Sequence, residues 1–254
     1  MPRNDRTKPE VARRTRTNAL LASLPRNARA ALEDSGQVVE LTTKQLLHDF
    51  DQPIRNVYFV HRGVASLVKP TSTEFPIEVA TVGYEGMVGL PLVLGVDRAS
   101  EQAFMQVPGS ATRIRADRFR QVIADFPDVR DLLLRYTVAL MGQMAQGAAC
   151  NRSHPVDERC ARWLLMTHDR VETDSFPLTQ EFLAQMLGVR RPSVSIAAGM
   201  LQKSGLIQYV RGVITIVNRD GLEAASCECY RRINQEYARV LGRASGSERR
   251  LAAD

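Results

Sequence analysis

The chain is poor in cysteine, with four in 254 residues and none before Cys150. Cys150, Cys160, Cys227 and Cys229, so spread, do not form the dense disulfide framework of a small secreted domain. Nowhere is there a run of about 18 apolar residues, so no membrane span is expected. The N-terminus is basic but lacks the apolar core of a signal peptide, and a cytoplasmic chain is the expectation. Catalytic signatures are missing too: there is no G-x-S-x-G, no P-loop and no H-E-x-x-H, so no enzyme is expected. His48, His61 and His168 form no pair with metal spacing. Cys227-x-Cys229 is one residue tighter than the usual C-x-x-C, and a helical C-x-C sets its thiols about 200° apart. Cys150 and Cys160, with His154 between them, could join a junction metal or redox site. A structural role is the simpler reading, and no metal is expected.

What is present is a substantial apolar content, 44%, and a formal charge of +6 with a pI near 9.4. The first supports real cores. The second fits a polyanionic partner, although much of the excess lies in the termini. Residues 1–17 carry Arg3, Arg6, Lys8, Arg13, Arg14 and Arg16 and read as a disordered tail, either solvated or touching phosphate. Residues 243–254 read as a second tail.

The most informative stretch is Leu178–Leu206, LTQEFLAQMLGVRRPSVSIAAGMLQKSGL. Thr179 is a suitable N-cap. Phe182, Leu183, Met186 and Leu187 make one apolar face at helical spacing. Gly188 can turn the chain left-handed. Pro192 suits the first turn of a second helix, whose buried side would carry Val194, Ala197, Ala198 and Leu201. Arg190, Arg191, Ser193 and Ser195 remain on its outer face, with no acid among them. This is the layout of a helix-turn-helix, whose second helix enters the major groove. An ordinary pair of core helices has the same periodicity. Small Ala184 at the crossing favours the first reading, as does LIQYVRGVITIV, two strand-like runs around Arg211-Gly212 that would form a wing.

Upstream, Asn18 to Leu32 reads as a helix or helix pair. From Gln37 to Ala116 short runs (VVEL, VYFVHRG, VASLVKP, IEVATVG, QAFMQV, SATRIRA) alternate with glycine turns, as in a jelly-roll-like β-roll. Asp117–Phe126 is a short helix stopped by Pro127, and Asp128 to about Cys150 a long one. On the long helix two seams offer themselves for a second copy of the chain: Leu133, Thr137, Leu140, Met144 and Gly147, or Leu133, Tyr136, Leu140, Gln143 and Gly147. Packing on the β-roll uses the same spacing. Residues 151–155 read as a hinge, Val156–Asp169 as an amphipathic helix, and Asp220–Gly242 as a final helix. The expected organisation is thus α+β: a sensor β-roll over 18–127, a dimerisation helix over 128–150, and a winged helix-turn-helix domain over 151–242.

Over residues 18–240 this order of elements resembles the Crp–Fnr family of bacterial transcription regulators. VYFVHRGVASLV with the later EGMVGLP is similar to the family's β-roll. ERCARWLL is similar to the first helix of its DNA-binding domain. The LTQEFLAQMLGVRRPSVSIAAGMLQKSGLI segment is similar to its helix-turn-helix almost position for position. The resemblance implies a homodimer on palindromic double-stranded DNA, contact with RNA polymerase, and an effector felt at the β-roll that repositions the DNA-binding domains through the long helix.

The departures from the family pattern are specific. A Gly-Glu pair and a later Arg-Ser pair clasp a cyclic nucleotide in well-known members. Here Gly89 is followed by Leu90, and Arg98, ahead of Ser100, falls about two positions early. Leucine cannot accept a ribose hydroxyl, so cyclic AMP is not the expected effector. An N-terminal iron–sulfur cluster lacks its cysteines. No cofactor is assigned, and the effector pocket is placed at Gly89, Leu90, Arg98 and Ser100. On the recognition helix the resemblance puts Arg191, Pro192 and Ile196 where an arginine, a glutamate and a second arginine read bases. Arg191 is assigned to guanine O6 and N7, worth about 1–3 kcal/mol of discrimination. Ser193 and Ser195 are placed at phosphate or base edges, and Ile196 against a thymine methyl or in the packing. Thr179 and Gln180 at a helix N-terminus suit phosphate, with Arg190, Lys203 and Arg211 completing the interface. A β-roll scaffold acting through protein partners is the alternative from another class, and salt-dependent duplex binding separates the two.

Overall fold

The computed structural model describes residues 17–71 and 76–242. Both expected tails lie outside the described residues, save Thr17. Two short helices open the fold, α1 (Ala19–Ser23) and α2 (Arg26–Asp34). Asn18 fixes the first. Its Oδ1 accepts the Leu20 and Leu21 N–H groups, while its Nδ2 donates to the carbonyls of Val60 and Gly86 at 2.8 and 2.7 Å. The cap and the docking of the helix on the roll are therefore made by one buried side chain.

The β-roll comprises β1 (Gly36–Leu41), β2 (Leu46–His48), β3 (Asn56–Lys69), β4 (Ile77–Val82), β5 (Met87–Val88) and β6 (Gln102–Arg115). The strands pair antiparallel in the order β1-β6-β3-β4, with β2 on β6 and β5 on β3. The sequence reading divided β3 and β6 into two strands each; both are continuous. At the division, Gly109 crosses Gly63 so closely that a Cβ on Gly109 would lie 1.9 Å from the Arg62 carbonyl oxygen. The register shifts there as well. These glycines permit a bend within paired strands rather than a break between them.

The helices α3 (Ala116–Asp125) and α4 (Pro127–Ser153) follow. Pro127 is the first residue of α4, where its missing N–H costs nothing. The hinge expected over 151–155 shrinks to residues 154 and 155, because α4 runs on to Ser153. Beyond it come α5 (Val156–His168), β7 (Ser175–Pro177), α6 (Gln180–Leu187), α7 (Arg191–Lys203), β8 (Ile207–Val210) and β9 (Val213–Ile216), the three strands ordered β7-β9-β8. The single final helix expected over 220–242 is two, α8 (Arg219–Ala224) and α9 (Cys229–Leu241), with a break over 225–228. Cys227 therefore precedes a helix instead of lying inside one.

One core fills the roll and the helices on it, including Phe59 edge-on to Phe119 at 6.3 Å, Leu133, Tyr136 and Leu140. The other joins Trp163, Leu183, Val194, Leu201 and Ile214 to Val64, Val68 and Val107 of the roll. This arrangement corrects the seam expected for a second copy. Leu133, Tyr136, Thr137, Leu140 and Gln143 are buried within the chain itself. Tyr136 donates its hydroxyl to the Met87 carbonyl at 3.2 Å, and Gln143 donates Nε2 to the Thr81 carbonyl at 3.1 Å. Met144 is half-buried against the roll core, and Gly147 is half-buried at the edge of the cavity between β4 and α5. The roll takes the apolar spacing that a partner helix would also accept, and periodicity does not distinguish the two. The outward face carries Leu134, Val138 and Met141, 40%, 51% and 63% exposed, followed by exposed Ala145 and Ala148.

Candidate nucleic-acid interface and its control region

Thr179 caps α6 by accepting the Phe182 N–H at 3.1 Å. The helix ends at Gly188, in the left-handed region at φ 62° and ψ 38°, and the Val189 N–H returns to the Ala184 carbonyl at 3.0 Å. This closure turns the chain sharply enough to lay α7 across α6. Ala184, buried at the crossing, keeps the two axes close. Val194, Ala197, Ala198 and Leu201 form the inner side of α7 as expected.

The outer side carries Arg190, Arg191 and Pro192, all exposed, with Ser193 and Ser195 half-buried beside them. Ile196 is 66% exposed and Met200, one turn on, 53%. Of the two readings of Ile196, packing is thereby excluded, and Met200 is an interface candidate the sequence reading missed. Its signal was the i, i+4 spacing from Ile196. Ser195 is partly committed: its hydroxyl donates to Gln180 Oε1 at 2.6 Å. Gln180 and Ser195 thus brace α6 against α7. Thr179, Gln180, Arg191, Ser195 and Arg211 line one open groove. Lys203 is exposed in the last turn of α7.

Val210 pairs with Val213, leaving Arg211-Gly212 as a two-residue hairpin loop. Both residues have positive φ, 50° and 77°. Such a turn prefers asparagine or glycine at its first position, and an arginine there is held in a conformation that costs about 1 kcal/mol.

The four residues placed in an effector pocket do not converge. Gly89 and Leu90 lead into a 3-10 turn, Leu90–Leu94. Arg98 donates Nη1 to the Asp51 carbonyl at 2.6 Å and pairs with the Asp51 carboxylate at 3.5 Å, both side chains being solvated. Ser100 donates its hydroxyl to Glu101 at 2.7 Å. The chain between Leu90 and Ser100 folds as a 3-10 turn and a loop, which carries these residues apart. Ser100 alone of the four reaches a cavity of about 300 Å³ bounded by β4, α4 and α5. Three buried atoms on its walls, Thr81 Oγ1, Gln143 Oε1 and Arg162 Nε, have no hydrogen-bond partner among the described residues.

The same region joins the two halves of the chain. Glu78 on β4 accepts from Trp163 Nε1 and from Ser66 Oγ, each at 2.7 Å. Burial pushes its carboxyl up to about 7, against the lowering effect of those two hydrogen bonds. Buried Arg170 pairs with half-buried Glu85 at 2.8 Å. Phe104 of the roll meets Phe182 of α6 edge-on at 6.2 Å.

The cysteines also stand differently from expectation. Cys160 is packed alone in the second core, its thiol pushed up to about 12 by burial. Cys150, Cys227 and Cys229 form a small cluster of their own. Folding brings α4 and the start of α9 together, a proximity absent from local spacing.

A family model described as a Crp-like helix-turn-helix domain matches residues 158–225, which span α5 through α8. These residues form a helix-turn-helix domain similar to that family's. Around it the chain has the Crp–Fnr fold. FixK2 from Bradyrhizobium japonicum is 17% identical, superposes with a TM-score of 0.65, and aligns over 76% of this chain and 98% of its own. A CRP-family transcriptional regulator of Thermus thermophilus is 16% identical with a TM-score of 0.60, over 82% and 98%. The c-di-GMP-responsive global regulator CLP of Xanthomonas campestris is 15% identical with a TM-score of 0.59, over 75% and 98%. No curated protein matches this chain in sequence. Among the described residues no helix is long and apolar enough to cross a membrane.

Proposed function

We propose that this chain is a sequence-specific DNA-binding transcription regulator that works as a homodimer on a palindromic operator and is controlled by a small polar effector. The observation that carries the reading is the outer face of α7. It presents Arg190, Arg191, Ile196 and Met200 uncovered and without an acid, next to a wing tipped by Arg211. Arg191 reads guanine in the major groove. Arg190, Lys203, Arg211 and the α6 N-terminus at Thr179 and Gln180 hold phosphate. Ser193 faces a phosphate or base edge, and Ile196 and Met200 meet thymine methyls.

Dimerisation runs along Leu134, Val138, Met141, Ala145 and Ala148, whose spacing of four, three, four and three is that of a coiled-coil seam. Two recognition helices held by such a seam suit half-sites one helical turn apart. The effector acts in the cavity between β4 and α4, where the unpartnered Thr81, Gln143 and Arg162 atoms offer both an acceptor and donors. RNA polymerase is the partner through which occupancy changes transcription, in the cytoplasm.

Selection of bound duplexes from a random pool, by purified chain, tests this reading. It expects an enriched palindrome and an affinity that falls steeply with salt as counterions are released. A dimeric, folded chain that enriches nothing, with or without cell metabolites, defeats it.

A further inference from the structure

Cys150 and His154 lie one turn apart at the end of α4, and Cys227 and Cys229 flank Glu228, the N-cap of α9, with Cys229 its first residue. One ligand atom from each lies within 4.8 Å of the other three. Cys150 Sγ is 3.5 Å from Cys227 Sγ, and Cys229 Sγ is 3.6 Å from His154 Nδ1. A tetrahedral zinc site with bonds of about 2.3 Å to sulfur and about 2.0–2.1 Å to nitrogen has edges of about 3.6–3.8 Å. The thiol–thiol and thiol–imidazole separations of 3.5 and 3.6 Å fall at these edges, and the remaining ones, none above 4.8 Å, close to them with small side-chain adjustment.

The surroundings match. His154 Nε2, the nitrogen turned away from the thiols, lies 3.1 Å from Glu228 Oε2. A carboxylate on the far nitrogen of a metal-binding histidine fixes its ring and strengthens it as a ligand. Gln146 donates Nε2 to Cys229 Sγ at 3.0 Å, as an outer-shell amide would to a thiolate. The three cysteines are buried and belong to neither large core. Arg159 and Arg162 act electrostatically on Cys150, and the Nε of each is buried with no partner among the described residues. Three thiolates around a divalent ion carry one net negative charge, which two neighbouring guanidinium groups suit. A disulfide between Cys150 and Cys227 would leave a thiol and an imidazole converging on nothing. An iron–sulfur cluster attaches its ligands to different irons and needs them farther apart.

We propose that Cys150, His154, Cys227 and Cys229 form a structural site for one zinc ion. The ion would clasp the end of α4 to the start of α9 across the hinge at residues 154 and 155. That places a metal between the helix that carries the roll and the domain that carries α7.

The test is metal analysis of untagged, full-length, reduced protein. One zinc per chain is expected. After chelation, cobalt should return the intense visible absorption of a tetrahedral ion and the charge-transfer band of three thiolates. Cys227→Ser and Cys229→Ser should lose the ion, whereas Cys160→Ser, in the other core, should keep it. Glu228→Gln should weaken binding by about 10–100-fold with the ligand set intact. The cobalt spectrum is read on the unaltered chain, so the result does not depend on a variant that folds. Reduced protein with no zinc and no tetrahedral cobalt spectrum overturns the proposal. So does stoichiometric iron with sulfide, or zinc that survives loss of both Cys227 and Cys229.

Discussion

Trp163 donates its indole N–H to Glu78 across 2.7 Å, and this one contact ties the first helix of the DNA-binding domain to β4 of the roll. Glu78 is raised to about 7 by burial. Its docked value exceeds the 4.5 of a free glutamate, so the docked arrangement holds a proton that an undocked one releases. Docking is favoured at the acid end and loses this contribution as pH rises through about 7. Trp163 is the sole tryptophan, which makes its fluorescence a local reporter. A titration should show a midpoint near neutrality, and Glu78→Gln should abolish it. A midpoint unmoved by that substitution would assign the titration to another group.

Replacing Arg191 with alanine should relax base preference at one position in each half-site, at a cost of about 1–3 kcal/mol on the best operator. Binding to random duplex should fall far less. Competition between operator and random duplex measures the difference directly. Equal losses on both would move Arg191 to the phosphate backbone.

The wing separates stability from binding. Arg211 occupies a left-handed position that asparagine tolerates better. Arg211→Asn should raise fold stability by up to about 1 kcal/mol. The same change should weaken operator binding and reduce the salt slope by about one unit. Thermal melting and a salt series on one preparation check both halves.

The two faces of α4 should respond differently. Met141→Glu puts a charge on the outward stripe and should yield a folded monomer in sedimentation. Leu133→Ala empties a buried site under the roll. It should cost about 2–5 kcal/mol of stability without changing the oligomer formed at temperatures where the chain remains folded.

The helix-turn-helix was legible because its signals are local. Thr179, Gly188, Pro192 and the apolar spacing of α7 each act within a turn or two of chain, and all four stand where expected. The roll was legible as a class, but Gly63 and Gly109 read as breaks because the close approach that requires them joins residues far apart in sequence. The seam on α4 was legible as apolar, not as inward, since the choice between roll and partner depends on tertiary placement. The cysteine cluster was least legible. Its members come from residues 150–154 and 227–229, and the helix expected across 220–242 hid the break that lets Cys227 and Cys229 converge.

β3 enters both hydrophobic cores: Val57 and Phe59 lie in that of the roll, Val64 and Val68 in that of the DNA-binding domain. The two halves therefore do not own separate interiors. Heating should melt them in one cooperative transition, because loss of either core unseats the strand that roofs the other. By the same reasoning the DNA-binding half cut from the chain loses part of its own interior and exposes apolar surface. Selection acting on the roll then bears directly on the persistence of the reading head, and neither half is free to be exchanged as an independent module.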